Sequence, residues 1–231
     1  MSVAAAPSTV RPVGLPEIAG LRQMARSFAN LAWLSARPEP PPEGWSKMGL
    51  YGVQTVFGGR PLKLHGARVR GDPKSVFNEL AYGRLPVKDR TVVDVGASIG
   101  DSPIFFKLSG AKRVFAFESE LPSYLLMLIN LRANRVDDIT PICARVRSLE
   151  FSCPPGADMI LKLDCEGGEY EILRRTPGSV LGRFSHIMLE YHYGPVPLLK
   201  ILENSGYHVE WTPPRPEIKG MSVGMIWAEM K

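Results

Sequence analysis

The chain has 231 residues, of which 45% are hydrophobic and 22% are charged. This composition is typical of an ordinary globular protein and excludes a disordered or fibrous chain. The length allows one good-sized domain with an appendage. The net charge of +5 permits an anionic partner but does not require one, because the basic residues are spread along the chain.

The first part of the chain is predicted to be an extension of the main domain. Residues 1–16 contain no continuous apolar segment of the kind found in a signal peptide. Apolar residues then recur with helical spacing over Glu17–Ala36, and this helix is expected to cap the domain or to pair with a partner. A Pro-rich linker, Arg37–Pro42, leads to a predicted β-hairpin formed by Tyr51–Phe57 and Leu62–Leu64.

Apolar strands alternate with helical segments in the rest of the chain. The predicted strands are Thr91–Val95, Arg113–Phe117, Ile139–Cys143, Met159–Leu163, His186–Tyr191, Tyr207–Trp211 and Val223–Ala228. The predicted helices are Ser75–Tyr82, Ser102–Leu108, Pro122–Asn134, Gly168–Arg175 and Val196–Asn204. This alternation predicts an α/β fold with a mostly parallel sheet covered on both faces. The loop before the last strand is too short for a helical crossover, so the last two strands should pair antiparallel.

The cellular setting is predicted from what the chain lacks. No segment is long and apolar enough to span a bilayer. The three cysteines show no metal-ligand spacing and are odd in number. We therefore expect a cytoplasmic protein with reduced thiols and no membrane span.

The most informative segment is Thr91–Asp101, an apolar strand followed by a glycine-containing turn, with the sequence TVVDVGASIGD. Gly96 and Gly100 allow a tight turn and a close approach of a ligand to a helix N-terminus. The segment also contains Gly-x-Ser-x-Gly, the pattern of a hydrolase nucleophile elbow, which would make Ser98 a nucleophile. This interpretation is disfavoured, because the preceding strands and the oxyanion loop are missing and Asp94 would oppose an oxyanion.

A nucleoside site explains more of these residues. Glu118 follows the second strand, about 20 residues beyond the glycine turn, where an acid can bind the two ribose hydroxyls of an adenosine. Asp94 would repel the pyrophosphate of a dinucleotide. S-adenosylmethionine carries a sulfonium and an ammonium and no phosphate, so the pattern favours this cofactor.

A second group of polar residues follows two later strands. Lys162 and Asp164 alternate with apolar residues, and the next strand ends with Glu190 and His192. Because open α/β sheets bind ligands at the carboxyl ends of their strands, we expect Asp164, Glu190 and His192 to belong to the site. Glu169 is interpreted instead as a favourable acid at a helix N-terminus.

Four segments, taken in order, resemble the FkbM family of S-adenosylmethionine-dependent methyltransferases: VVDVGASIGDSPIFF, FAFES, LKLDCEGGEYEIL and IMLEYH. The resemblance covers roughly Phe77–Tyr207. It implies a class I, Rossmann-like sheet of seven strands with the last strand antiparallel. It also implies methyl transfer to a hydroxyl on a sugar or glycan, a lipid-linked compound or a small molecule. The methyltransferase domain is then expected at residues 76–231, and residues 1–75 form the extension.

Pattern and resemblance together give two groups of site residues. Those expected to bind the cofactor are Asp94, Gly96, Ala97, Ser98, Gly100, Asp101, Glu118, Ser119 and Asp164. Those expected to be catalytic are His192, Asp164 and Glu190. His192 is the first candidate for the general base, because the unperturbed pKa of imidazole lies near neutrality, and Asp164 is the second. The same three residues could instead hold a divalent cation that acidifies a diol.

Two alternative functions stay open besides methylation of a small-molecule or glycan acceptor. One is methylation of RNA, suggested by the basic pI and by Arg60, Lys63, Arg68, Arg70 and Lys74. Nucleic acid is nevertheless not the expected partner, because no nucleic-acid module and no row of stacking aromatics is visible. The other is a non-catalytic scaffold that binds the cofactor and forms a homo-oligomer through its N-terminal helix.

Overall fold

The computed structural model describes residues 38–68, 70–150, 158–216 and 221–231. These residues form a large mixed sheet with helices on both faces and a separate three-stranded antiparallel sheet. No helix within them is long and apolar enough to cross a lipid bilayer. The predicted helix Glu17–Ala36 lies outside the described residues.

The elements follow the predicted order closely. The strands are β1 (Ser46–Met48), β2 (Gly52–Phe57), β3 (Arg60–Leu64), β4 (Thr91–Val95), β5 (Arg113–Glu118), β6 (Ile139–Cys143), β7 (Met159–Leu163), β8 (Phe184–Tyr191), β9 (Tyr207–Trp211), β10 (Arg215–Pro216) and β11 (Ser222–Met230). The helices are α1 (Asp101–Leu108), α2 (Leu121–Asn134), α3 (Glu169–Arg175), α4 (Gly178–Leu181) and α5 (Val196–Asn204). The helix predicted at Ser75–Tyr82 is a single π-helical turn over Lys74–Asn78.

The large sheet has the strand order β10-β11-β8-β7-β4-β5-β6, and β9 pairs with the other edge of β11. Strands β4 to β8 pair in parallel, whereas β11 runs antiparallel to both β8 and β9. The prediction of a seven-stranded, mostly parallel sheet with an antiparallel last strand is therefore confirmed. The two-residue strand β10 is an addition, which pairs with the start of β11.

Alternate residues of each central strand enter two buried clusters, one on each face of the sheet. Val92 of β4 packs in the cluster that contains Ile104 of α1 and Met127 of α2. The next residue, Val93, packs in the cluster that contains Leu173 of α3. Because both faces are covered by helices, the carboxyl ends of the parallel strands are the edge at which a ligand can reach polar groups.

The small sheet packs against the same face of the large sheet as α1 and α2. Val53 and Leu64 belong to the same buried cluster as Val92. A fully buried amide, Asn130 of α2, ties the two parts together. Its Oδ1 accepts the N–H of His65 at 2.7 Å, and its Nδ2 donates to the carbonyl of Ile99 at 2.9 Å.

Candidate active site

A cleft of about 870 Å³ opens at the carboxyl ends of β4, β5, β7 and β8. Its volume lies in the range of small-molecule sites, about 300–1,000 Å³. The predicted site residues that line it are Gly96, Ser98, Asp101, Glu118, Ser119, Asp164 and Glu190. Those that do not line it are Asp94, Ala97, Gly100 and His192. The fold therefore brings both predicted groups to one cleft, although four of their members lie behind its surface.

The turn after β4 can form only with glycine at its first position. Gly96 has a φ of +86°, and a Cβ there would lie 1.6 Å from the carbonyl oxygen of Asp164. Ser98 and Gly100 also have left-handed backbones, with φ of +47° and +90°. The N–H of Gly96 donates to the carbonyl of Phe117 at 3.0 Å. The turn is thus fixed between the end of β5 and the segment that follows β7.

Glu118 closes one side of this turn with hydrogen bonds from the backbone. Its Oε2 accepts the N–H of Ser98 at 2.9 Å, and its Oε1 accepts the N–H of Glu120 at 2.6 Å. Burial raises the pKa of this carboxyl above its ordinary value, and the two N–H donors oppose the rise. Each carboxylate oxygen has two lone pairs, so Glu118 can still accept hydrogen bonds from hydroxyl groups in the cleft.

Asp94 is fully buried and already paired. Its Oδ2 accepts a hydrogen bond from Ser102 Oγ at 2.7 Å, and its Oδ1 lies 3.0 Å from the ammonium of Lys162. Lys162 also donates to the carbonyl of Gly96 at 2.7 Å. The sequence-based argument was that the charge of Asp94 would repel a pyrophosphate. That argument is wrong, because the buried ammonium of Lys162 balances this charge.

The sequence shows Lys162 as a polar residue of an apolar strand, but it does not predict that Lys162 belongs to the site. Burial lowers its pKa, but Asp94, Tyr82 and Asp164 raise it by more, so the pKa lies well above the ordinary value and the ammonium stays charged. Its Nζ lies 3.8 Å from Asp164 Oδ2, which also accepts a 3.0 Å hydrogen bond from the Tyr82 hydroxyl. The available signal was a single lysine inside a fully buried strand, MILKL.

Glu169 is the first residue of α3, as its interpretation as a helix-terminal acid requires, but it is also completely buried. Its Oε1 accepts the N–H of Cys165 at 2.7 Å. Its Oε2 lies 3.5 Å from Nδ1 of His192. Glu169 therefore faces a predicted catalytic residue, a contact that the local sequence pattern gave no sign of.

His192 lies among three carboxylates. Its Nε2 is 3.6 Å from Glu166 Oε2 and 3.9 Å from Glu190 Oε2, and its side chain is almost fully buried. Burial lowers its pKa, but Glu169, Glu190 and Glu166 raise it by more, and the pKa reaches about 9. At that pKa the imidazole holds a proton at neutral pH, so His192 would have to lose this proton before it could act as the predicted general base.

The two carboxylates of the predicted catalytic group lie in the wall of the cleft. Burial and the neighbouring charge of Asp164 raise the pKa of Glu190 to about 7, and the positive charge of His192 opposes the rise. One ligand atom from each of Asp164, Glu190 and His192 lies within 4.8 Å of the others. The arrangement can therefore accept a proton or hold a cation.

Acidic side chains outnumber basic ones along the described lining of the cleft by eight to four. The acidic ones are Asp72, Glu79, Asp101, Glu118, Glu120, Asp164, Glu166 and Glu190. The basic ones are Arg70, Arg145, Lys162 and Arg215. This balance is opposite to the net charge of the whole chain, +5. The cleft therefore favours a ligand that carries positive charge.

Comparison with known sequences gives one short similarity. "Uncharacterized protein 158B" of Sulfolobus islandicus rod-shaped virus 1 is 36% identical over 94 residues. The match covers 39% of this chain and 56% of the viral protein, so the chain spans about half the length of the curated relative. No protein-family model matches the chain.

Solved structures show a much broader similarity. M. jannaschii TYW2, solved in complex with AdoMet, is 18% identical with a TM-score of 0.55, covering 78% of this chain and 87% of that one. The M. jannaschii tRNA m1G37 methyltransferase is 16% identical with a TM-score of 0.58, covering 80% of this chain and 59% of that one. EvdMO1 is 16% identical with a TM-score of 0.53, and the match covers 90% of this chain and 47% of that one. At such identities the likeness concerns the fold, and the chain has the Rossmann-like fold of class I methyltransferases.

Proposed function

We propose that the protein is an S-adenosylmethionine-dependent methyltransferase that acts on a hydroxyl of a sugar or glycan, a lipid-linked compound or a small molecule. The observation that carries the proposal is the acidic cleft at the carboxyl edge of a class I methyltransferase fold. Positive charges on the sulfonium and the ammonium of S-adenosylmethionine suit this lining, whereas the phosphates of a dinucleotide do not. The resemblance of four segments to the FkbM family supports the choice of a hydroxyl acceptor.

The residues present fit this cofactor. When bound, S-adenosylmethionine supplies a methyl group on a positively charged sulfur, which becomes a neutral thioether as the methyl passes to an acceptor oxygen. Glu118 would hold the ribose hydroxyls by accepting their hydrogen bonds, and the backbone of Gly96 and Ser98, which also lines the cleft, would face the nucleoside. Asp94, behind the surface, and Lys162, which lines the cleft, hold the turn in place.

An alcohol oxygen is a weak nucleophile until its proton is removed. Asp164 and Glu190 line the cleft and can receive that proton, whereas His192 does not line it. The hydroxyl of Tyr82 fixes one oxygen of Asp164, which leaves Glu190 as the less constrained acceptor of the two. Alignment of the hydroxyl with the methyl group then supplies most of the rate, since the methyl is already activated.

Calorimetry with the whole chain tests cofactor binding, and a labelled methyl group tests transfer. We expect S-adenosylmethionine to bind with a stoichiometry of one, and NAD to bind at least about tenfold more weakly. Incubation with labelled S-adenosylmethionine and fractionated cell extract should place the label in glycan, lipid or small-molecule fractions. A wild-type protein that binds no S-adenosylmethionine would exclude the proposal.

RNA is the second candidate acceptor, favoured by the fold similarity to a tRNA m1G37 methyltransferase. Three of the basic residues that suggested an RNA acceptor already make contacts within the chain. Arg68 donates to the carbonyl of Leu50 at 2.6 Å, Arg70 pairs with Glu120, and Lys74 pairs with Glu79. Label recovered in RNA, together with RNA binding that weakens steeply with salt, would favour this acceptor over a hydroxyl on a smaller compound.

A further inference from the structure

Three potential metal ligands meet where two neighbouring parallel strands end. Asp164 follows β7, and Glu190 and His192 lie at the end of β8, whose Leu189 is in register with Leu163 of β7. One donor atom from each of the three side chains lies within 4.8 Å of the other two. Two of them, Asp164 and Glu190, line the cleft proposed for the cofactor and the acceptor.

The imidazole of His192 is buried with no hydrogen bond of ordinary length to any described residue. Its side chain is 5% exposed, and its nearest ionic neighbours are carboxylate oxygens at 3.5, 3.6 and 3.9 Å. Hydrogen bonds from nitrogen to oxygen are about 2.7–3.2 Å long, so these separations are too large. An unsatisfied buried polar group costs about 1–3 kcal/mol, and Nδ1 is such a group. The unsatisfied Nδ1 faces Glu169, so the room for a further ligand lies at Nε2, whose nearest carboxylate oxygens are 3.6 and 3.9 Å away.

Glu169 gives the imidazole a defined orientation. Its carboxylate is completely buried, and one oxygen is held by the N–H of Cys165 at 2.7 Å. The other oxygen makes no hydrogen bond to a described residue and faces Nδ1 of His192 at 3.5 Å. Metal-binding histidines commonly have such a carboxylate on one nitrogen, which keeps the proton there and directs the other nitrogen to the ion. Here that other nitrogen is Nε2, which lies 3.6 Å from Glu166 and 3.9 Å from Glu190 and would release its proton to solvent when an ion binds.

We propose that Asp164, Glu190 and His192 bind a divalent metal ion, and that Glu169 is a positioning residue for His192. Metal–ligand bonds of about 2.0–2.2 Å place the donors of one ion up to about 4.4 Å apart, so small side-chain rotations bring this cluster to a bonding geometry. One imidazole and two carboxylates suit Mn²⁺, Fe²⁺ or Zn²⁺.

The ion would also define the acceptor, and this part rests on the proposed methyltransferase function. Three protein ligands leave coordination positions open, and two of the three, Asp164 and Glu190, line the cleft. A hydroxyl bound to a divalent cation would lose its proton more readily than a free one, and with Asp164 and Glu190 engaged as ligands that proton would pass to water in the cleft. Two neighbouring hydroxyls can occupy two open positions together, so the class of acceptor is a compound with a vicinal diol.

The site can be tested without cofactor or acceptor by titrating the whole chain with Mn²⁺. Binding is measured as the loss of the electron paramagnetic resonance signal of free Mn²⁺. We expect one Mn²⁺ per chain, and at least about tenfold weaker binding for His192→Ala and Glu190→Gln. Glu169→Gln should weaken binding about tenfold while one ion is still bound, as expected for a residue outside the ligand set. His208→Ala is the matched control, because His208 is exposed on β9, and it should bind as the wild type does.

Two outcomes would overturn the metal site: no Mn²⁺ binding by the wild type, or equal binding by the His192 and His208 variants. Circular dichroism of each variant verifies that it is folded, and Glu190→Gln gives an independent result if His192→Ala does not fold. S-adenosylmethionine binding is measured separately by calorimetry. Cofactor binding without Mn²⁺ binding rejects the metal site alone, and the reverse result rejects the proposed function alone.

Discussion

The two halves of the cleft are built differently. Around the turn after β4, the side chain of Glu118 and the backbone N–H groups are joined by hydrogen bonds of 2.6–2.9 Å. Around His192, the carboxylates stand 3.5–3.9 Å from the ring nitrogens. In the first half, Glu118 and the backbone N–H groups already form hydrogen bonds of ordinary length. In the second half, the distances around His192 leave room for a bound ligand. Cofactor binding should therefore depend on a preformed turn, and acceptor binding on a cluster that is completed by its ligands.

The largest effect is expected where the two halves touch. In Gly96→Ala, the new Cβ would lie 1.6 Å from the carbonyl oxygen of Asp164, in a left-handed backbone that alanine disfavours. Overpacking and backbone strain together should lower the free energy of unfolding by about 4 kcal/mol or more. Urea denaturation measures this. Gly178→Ala is the control, because its Cβ would meet no atom within 4 Å, and similar losses in both variants would contradict the explanation.

The next largest loss of stability should follow from replacing Lys162, the buried cation that contacts both halves. Lys162→Met leaves the buried carboxylate of Asp94 without its partner, which should cost about 3–5 kcal/mol of unfolding free energy. Thermal and urea denaturation report the loss. Adding Asp94→Asn should recover part of it, whereas the exposed Lys200→Met should change little. A double variant no more stable than Lys162→Met would argue against the ion pair as the cause.

A pH-dependent effect is expected from the cofactor half. Burial raises the pKa of Asp101 from 3.8 to about 6. Between these two pH values the folded state therefore holds a proton that the unfolded state has released. Its contribution to stability is complete below about pH 4 and is lost as the pH rises through 6. At 1.36 kcal/mol for each unit of pKa the full change is about 3 kcal/mol, and the stability of Asp101→Asn relative to the wild type should rise by about 2 kcal/mol of this between about pH 4 and pH 7. Urea denaturation across this range measures the difference, and a constant difference would contradict the assignment.

The smallest effect should separate the halves functionally. Glu118→Gln places an amide group where the carboxylate now accepts two backbone N–H donors, and it should weaken the proposed contact with the ribose. We expect S-adenosylmethionine to bind about tenfold more weakly, a change of about 1.4 kcal/mol, by calorimetry. Mn²⁺ binding should be unchanged, and the exposed Glu203→Gln is the control. If Glu118→Gln weakened the binding of S-adenosylmethionine and of Mn²⁺ equally, the two halves would not be independent.

Sequence periodicity predicted the framework well, because strand and helix patterns are local. Strands β4, β6, β7 and β9 have the predicted bounds, and β8 begins two residues earlier, at Phe184. The pairing of side chains could not be predicted in the same way. The contact between Lys162 and Asp94 joins adjacent strands that are far apart in sequence, and the contact between Glu169 and His192 joins a helix to a strand end. Periodicity gives the face on which a side chain lies but not its burial or its partner, and these decide the pKa of His192.

The buried amide of Asn130 has a consequence for how the chain can be divided. The glycine turn is connected through Ile99 and Asn130 to His65, which lies in the part of the chain predicted to be an extension. Val53 and Leu64 fill the same core as the first strand of the large sheet. A fragment cut at residue 76 would expose that core and remove one support of the turn. The segment before residue 76 thus supports the turn of the proposed cofactor site, and expression trials should begin upstream of β1.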